Sequence, residues 1–236
     1  MNTNIHFQVI GSGYLCKSEI HIMKNALIAG ASGLVGSELL QLLLKGNEYD
    51  KVIAIVRKPL GFKHPKLIQE EVDFNKLTEF APSFAVTDVF CTLGTTIRKA
   101  GSQEAFRKVD YDYVVGIGKF SERTGVQRFL VVSSMGADAA SRIFYNRVKG
   151  EMEKAVQQLN IPSIFIFRPS LLIGKRSEFR PGERIAQVLM GGLGFLFIGG
   201  LKKYRPIPAS TVANAMLTVA LTRKEDRLVL DSAEIS

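Results

Sequence analysis

The chain has 236 residues, of which 46% are hydrophobic and 22% charged, a balance that excludes a disordered, collagen-like or coiled-coil chain. Two cysteines, Cys16 and Cys91, and three scattered histidines exclude a disulfide scaffold, a four-cysteine zinc site and a multi-histidine metal centre. With 31 Lys and Arg against 22 Asp and Glu the formal charge is +9, so the chain should attract an anion: nucleic acid, a membrane surface or a phosphorylated small molecule.

Residues 1–22 are polar, carry Gly11-Ser12-Gly13 and show no long periodic pattern. They read as an N-terminal extension, poorly ordered because nothing ties it to a sheet, and Met23 could be the native start. They lack the basic start and continuous apolar run of a signal peptide. Residues 25–29 form the first apolar strand, followed by a glycine-rich turn and a helix over residues 34–45. Leu39, Leu42 and Leu43 share one side of that helix, and Gly46 stops it. Further strands are predicted at 52–56, 67–72, 88–93, 129–132, 164–167 and 228–230. Helices are predicted at 103–122, capped by Ser102, and at 141–159 and 211–221.

Apolar strands separated by helices predict an α/β fold: a doubly wound parallel sheet covered on both faces, the Rossmann fold. Residues 23–236 then make a single domain. Residues 170–208 are a loop-rich elaboration over the carboxyl ends of the strands, with a short helix near 184–190. Within it, Gly191 to Gly200 carries Phe195, Leu196, Phe197 and Ile198, and reads either as a lid over an apolar substrate or as a packed loop. The apolar stretch 188–201 is shorter than the roughly 20 residues that cross a bilayer, and five glycines interrupt it. The expected setting is cytoplasmic, with reduced thiols.

Gly30-Ala31-Ser32-Gly33-Leu34-Val35-Gly36 joins the first strand to the first helix. Its G-x-x-G-x-x-G spacing differs from the commonest dinucleotide fingerprint. Its place between a buried strand and a helix start, where N–H groups and the dipole favour phosphate, supports nucleotide binding over plain turn geometry. An acidic residue at the end of the second strand would hold the ribose hydroxyls of NAD; an arginine would accommodate the 2′-phosphate of NADP. The chain has Arg57-Lys58 there, so NADP is expected in preference to NAD, against the plainer reading of a solvated basic pair. Asp73, after the third strand, could meet an adenine amino group or cap the next helical turn. Leu93 and Gly94 put small and apolar surface beside the cofactor path after the fourth strand. Cys91 reads as a buried strand residue rather than a nucleophile.

Tyr145 and Lys149 stand four apart in a predicted helix and share a face. A tyrosine ordinarily ionises near pH 10, and a neighbouring ammonium together with a cationic nicotinamide would favour the phenolate. Tyr145 could then exchange a proton with a carbonyl or alcohol while hydride moves, and Lys149 would also hold the nicotinamide ribose. Ser133-Ser134 ends the fifth strand, and Ser134 is the preferred hydroxyl for stabilising charge on the substrate oxygen. Each feature has a plainer reading, a solvated helix face for the pair and a turn for the serines.

Together these residues resemble the atypical branch of the short-chain dehydrogenase/reductase superfamily. The match narrows to the Tat-interacting protein oxidoreductases. It is carried by Cys91 to Thr96, Lys99-Ala100-Gly101, Val109-Asp110 with Asp112-Tyr113-Val114, Gly136-Ala137-Asp138, Lys149-Gly150-Glu151, Phe167-Arg168-Pro169 and Arg180-Pro181-Gly182-Glu183. The resemblance runs over about residues 25–221. It implies an NADPH-binding oxidoreductase in which Ser32, Gly33, Leu34 and Val35 line the pyrophosphate turn and Arg57 and Lys58 meet the 2′-phosphate. It further implies that Leu93 and Gly94 flank the cofactor, that Tyr145 donates the proton with Lys149 on the ribose, and that Leu172 and Arg180 contact the nicotinamide half. Leu34-Val35 and Lys58 depart from the animal members, and residues 1–22 do not resemble their extension.

The expected function is hydride transfer between NADPH and a small carbonyl or alcohol. A cofactor-sensing regulator with little catalysis is the alternative, because fold does not settle function. The basic residues are dispersed and do not alternate with aromatics, so neither nucleic acid nor membrane is an expected partner.

Overall fold

The computed structural model describes residues 24–77, 79–174, 205–223 and 226–235. Residues 1–22, the short helix expected at 184–190, the Gly191–Gly200 stretch and Arg180 lie outside the described residues. Seven strands form one sheet: β1 (Asn25–Ala29), β2 (Lys51–Val56), β3 (Leu67–Glu71), β4 (Asp88–Cys91), β5 (Arg128–Val132), β6 (Ser163–Arg168) and β9 (Arg227–Asp231). All neighbours are parallel, in the order β3-β2-β1-β4-β5-β6-β9. This is the doubly wound arrangement expected from the apolar strands.

The central strands carry apolar residues on both faces because side chains alternate between two cores. Ala26 and Ile28 of β1, Val52 and Ala54 of β2, Phe90 of β4 and Phe165 and Phe167 of β6 belong to one core. Their neighbours Leu27, Ala29, Ile53, Ile55, Val89, Cys91, Ile164 and Ile166 belong to the other. The first core is covered by α1 (Leu34–Lys45) and α6 (Ala209–Thr222). The second is covered by residues 103–123 and by α5 (Phe144–Gln157). β3 is an edge strand, and its polar Gln69-Glu70-Glu71 leaves it half-exposed.

Three details of the helices differ from the sequence expectation. The buried stripe of α1 runs through Val35, Leu39, Leu40, Leu43 and Leu44, with Leu42 only half-buried at its margin. The helix expected from residue 141 starts at Phe144, because residues 138–143 form a turn in which Ser141 N–H donates to the Asp138 carbonyl and Ile143 N–H to Ser141 Oγ. The helix over 103–122 is composite: α3 (Gln103–Arg107), a π turn (Lys108–Asp112) and α4 (Tyr113–Arg123). A short α2 (Ile97–Ala100), a last turn α7 (Ser232–Ile235) and a two-stranded parallel ribbon complete the described fold. The ribbon pairs β7 (Leu172–Ile173) with β8 (Ile207–Pro208).

Candidate cofactor and active site

Strand order reverses between β1 and β4, and a crevice opens outside the carboxyl ends of strands at such a switch point. The sequence supplies the glycine turn after β1, and Thr92 to Thr95 after β4. The two exits are packed tightly together. Gly30 has φ +86°, and a side chain on it would lie 2.8 Å from the Thr92 carbonyl group. A Cβ on Gly36 would lie 2.1 Å from the Gly30 carbonyl oxygen and 2.5 Å from Thr92 Oγ1. Thr92 in turn donates both its N–H and its hydroxyl to the Ala29 carbonyl, each at 2.9 Å. Gly30 and Gly36 are therefore required first by the approach of the turn to β4.

Gly33 has a different role. It is exposed beside exposed Ser32, and it is the N-cap of α1, where it offers no side chain to the first-turn N–H groups. That leaves the backbone donors at a twelve-residue helix start open to an anion. Val35 points into the core at 4% exposure, so only its backbone could meet a ligand. Leu34 packs on the chain after β7: a Cβ on Gly174 would touch Leu34 Cδ1 at 2.7 Å. Half-buried Leu172, of the ribbon, packs against the same core as Leu34. The expected contacts Leu34 and Leu172 therefore share one core, with Leu34 against the chain that follows Leu172.

Arg57 and Lys58 follow β2 and are exposed, with no ion pair among the described residues. Asp73, which could have met adenine or capped a turn, caps the 3-10 turn Phe74–Lys76. Its Oδ1 accepts from Asn75 N at 2.9 Å and Asn75 Nδ2 at 2.8 Å, and these bonds lower its pKa.

The β5 exit places Ser133 and Ser134 in the crevice. Both hydroxyl oxygens are buried without a hydrogen-bond partner among the described residues, which makes them candidates for a ligand oxygen. The chain then turns at Gly136 (φ +83°) and packs along α5. Asp138 N–H donates to the Asn146 carbonyl at 3.0 Å, and a Cβ on Gly150 would collide with Ala139 N at 2.1 Å. That contact, made one residue after Tyr145 and one after Lys149, lays the serine exit alongside their helix. Two ion pairs fix α5 further: Arg107 with Glu151, and Arg168 with Glu153, whose Oε1 accepts from Arg168 Nε at 3.0 Å.

Tyr145 is half-buried, its ring 5.2 Å from that of Phe106. Lys149 is 3% exposed, and its Nζ lies 2.7 Å from Oδ1 of Asp110, a residue with no exposure at all. The two form a buried ion pair. Asp110 Oδ2 accepts from Thr95 N at 2.8 Å. A Cβ on exposed Gly94 would stand 3.5 Å from Asp110 Oδ1 and 3.8 Å from Lys149 Nζ, so Gly94 lies directly against this pair. Burial pushes the Cys91 thiol up to about 12, which fits the expected buried strand residue and leaves no thiolate at neutral pH.

The structure thus brings Lys149, Tyr145 and Gly94 to one end of the sheet with the glycine turn and Ser134. Sequence reasoning gave no role to Asp110. The available signal was an acid on the otherwise apolar face marked by Phe106, Val114 and Ile117.

Comparison with known proteins agrees with this architecture. The family described as NAD(P)H-binding matches residues 30–172. Protein HTATIP2 of Rattus norvegicus is 41% identical over 198 residues, 82% of this chain and 80% of its own. Protein FMP52, mitochondrial, of Debaryomyces hansenii is 31% identical over 199 residues, 84% of this chain and 87% of its own. Among solved structures, the Bordetella bronchiseptica enzyme WbmH in complex with NAD+ superposes with a TM-score of 0.67 at 16% identity, covering 89% of this chain and 76% of its own. MoeE5 in complex with UDP-glucuronic acid and NAD gives 0.64 at 19% identity, covering 87% and 75%. Those two likenesses show the fold, and the family match and the relatives show more: the chain belongs to the NAD(P)H-binding Tat-interacting protein family, an oxidoreductase-like atypical branch of the short-chain dehydrogenases/reductases.

Proposed function

We propose that the chain is an NADPH-dependent reductase or dehydrogenase acting on a small carbonyl or alcohol. The observation that carries the reading is the buried Lys149 ammonium at the β4 exit, one helical turn from half-buried Tyr145 and beside a serine exit whose hydroxyls lack partners among the described residues. The uncapped start of α1 suits the pyrophosphate, and exposed Arg57 and Lys58 suit a 2′-phosphate. When bound, the nicotinamide supplies or accepts the hydride. Ser134 Oγ donates to the substrate oxygen, and Tyr145 passes its hydroxyl proton to that oxygen in the reductive direction. The Lys149 ammonium stabilises the negative charge that this transfer leaves on the tyrosine oxygen.

The partner in this reading is a small molecule, with neither nucleic acid nor membrane. Among the described residues no helix is long and apolar enough to cross a membrane. A cytoplasmic setting is part of the proposal, and imaging the full chain tests it against the mitochondrial label that the fungal relatives carry. For the chemistry, Tyr145→Phe should lower kcat at least about a hundredfold while the Kd for NADPH stays within about threefold. Equal turnover by the variant across a carbonyl panel would overturn Tyr145 as proton donor. Tight NADPH binding with no turnover by the wild type would favour the cofactor-sensing alternative.

A further inference from the structure

We infer that Asp110 is the positioning residue for Lys149, holding its ammonium charged, dry and fixed at the β4 exit. The inference rests on the reading of Lys149 as the residue that faces the cofactor ribose, and it goes beyond it by naming what keeps that residue competent.

An ammonium at 3% exposure loses nearly all its hydration, and an isolated one would shed its proton to avoid that loss. The titratable groups that face it are Asp110 from the π turn, Tyr145 from its own helix and Cys91 from β4. Cys91 stays a neutral thiol, so Asp110 is the carboxylate among them. Burial alone drives the Lys149 pKa down; Asp110, with a contribution from Tyr145, outweighs it, and the net direction is upward.

The geometry is built around this pair. The π turn packs on α5 and brings Asp110 to zero exposure opposite Lys149. Its Oδ2 is anchored by Thr95 N–H, in the same β4 exit that borders the expected cofactor path, so the carboxylate cannot rotate away. Its Oδ1 is left to the ammonium at 2.7 Å. A widened turn of this kind is uncommon inside helices and is frequent where a side chain has a task.

The test is the pH dependence of NADPH affinity, followed by cofactor fluorescence from pH 7 to 9.5, for wild type, Asp110→Asn and Asp110→Asn/Lys149→Met. Wild-type affinity should be flat. In Asp110→Asn the buried ammonium has lost its counter-charge and titrates within this range, so affinity should acquire an alkaline limb of up to about tenfold per pH unit. The double variant should lose that limb. A folded Asp110→Asn with the wild-type profile would overturn the inference.

A second measurement needs neither cofactor nor variant stability. Lysine side chains labelled with carbon-13 report the Lys149 titration in the wild-type protein by NMR. It should lie above the ordinary lysine value of about 10.4, and a lower value would overturn the pairing. Wild-type protein that does not bind NADPH would defeat the cofactor reading, while this titration would still decide the role of Asp110.

Discussion

Gly36→Ala is a sharp test of the glycine turn, because helix propensity and packing oppose each other there. Gly36 lies inside α1, where alanine is worth about 1 kcal/mol more than glycine. The new methyl group would sit 2.1 Å from the Gly30 carbonyl oxygen, whereas carbon–oxygen contacts settle near 3.3 Å. The turn would have to move by about 1.2 Å, the difference between those two distances. The Gly30 oxygen also accepts from Gly33 N–H at 2.8 Å, so moving it weakens a bond worth about 1 kcal/mol. Overpacking of this kind costs about 2–3 kcal/mol; with the weakened bond added and the propensity gain subtracted, the net loss is about 2–3 kcal/mol. For a chain of this length that lowers Tm by roughly 5–10 °C. NADPH affinity should fall at least about tenfold, since the displaced backbone is the proposed phosphate site.

Gly116→Ala, in α4, is the matched control. Its methyl group would meet the far end of the Leu77 side chain at 3.2 Å, and that end can rotate aside. This variant should be neutral or up to about 1 kcal/mol more stable. Thermal unfolding and cofactor titration on the two variants are the assay. Equal Tm values for Gly36→Ala and Gly116→Ala would refute the close-approach reasoning.

Arg57→Ala should weaken NADPH binding by roughly 10- to 100-fold and leave NADH binding unchanged, as loss of a charge-assisted phosphate contact requires; unchanged selectivity in paired titrations would remove the 2′-phosphate assignment. Cys91 has a folded-state pKa of about 12 against an ordinary value near 9, so its contribution is complete below about pH 9 and is lost as pH rises toward 12. Stability should therefore fall by about 1.4 kcal/mol per pH unit over that window from this thiol alone, and urea unfolding of Cys91→Ala should show a shallower alkaline slope. An identical slope would remove the thiol as its source. Asp88 is buried at the opposite, amino end of β4, where its Oδ2 accepts from Tyr49 Oη at 2.6 Å and its Oδ1 from Arg128 Nη1 at 2.9 Å. Asp88→Ala should cost about 3 kcal/mol of stability while NADPH affinity at the carboxyl ends is retained; a parallel loss of affinity would show that the two ends are coupled.

The sheet was legible because Ala26 to Ala29 and Ile164 to Phe167 are unbroken apolar runs, and only a strand buried on both faces needs that. The site was legible in part, because position at a strand end carries meaning in this fold: Gly33, Arg57, Ser134 and Gly94 all follow carboxyl ends. What escaped depends on contacts distant in sequence. The Leu172–Ile173 and Ile207–Pro208 ribbon has two residues per strand, too few for any periodicity. Asp110 and Lys149 are 39 positions apart, and nothing local in either stretch announces the other. The glycines were read as access for phosphate, yet the nearer constraint is Thr92, just past β4, for Gly30, and the Gly30 carbonyl together with Thr92 for Gly36.

The small ribbon has one more consequence. Its two strands bracket residues 174–206 and pin both ends of that span in fixed register: Leu172 beside Ile207, and Ile173 beside Pro208. On one side the span is tied to Leu34 at the start of α1 through Gly174; on the other it runs directly into α6. The clasp therefore joins the chain that leaves β6 and the chain that enters α6 beside the start of α1, so that the glycine turn is braced from the far end of the sequence as well as from the β4 exit.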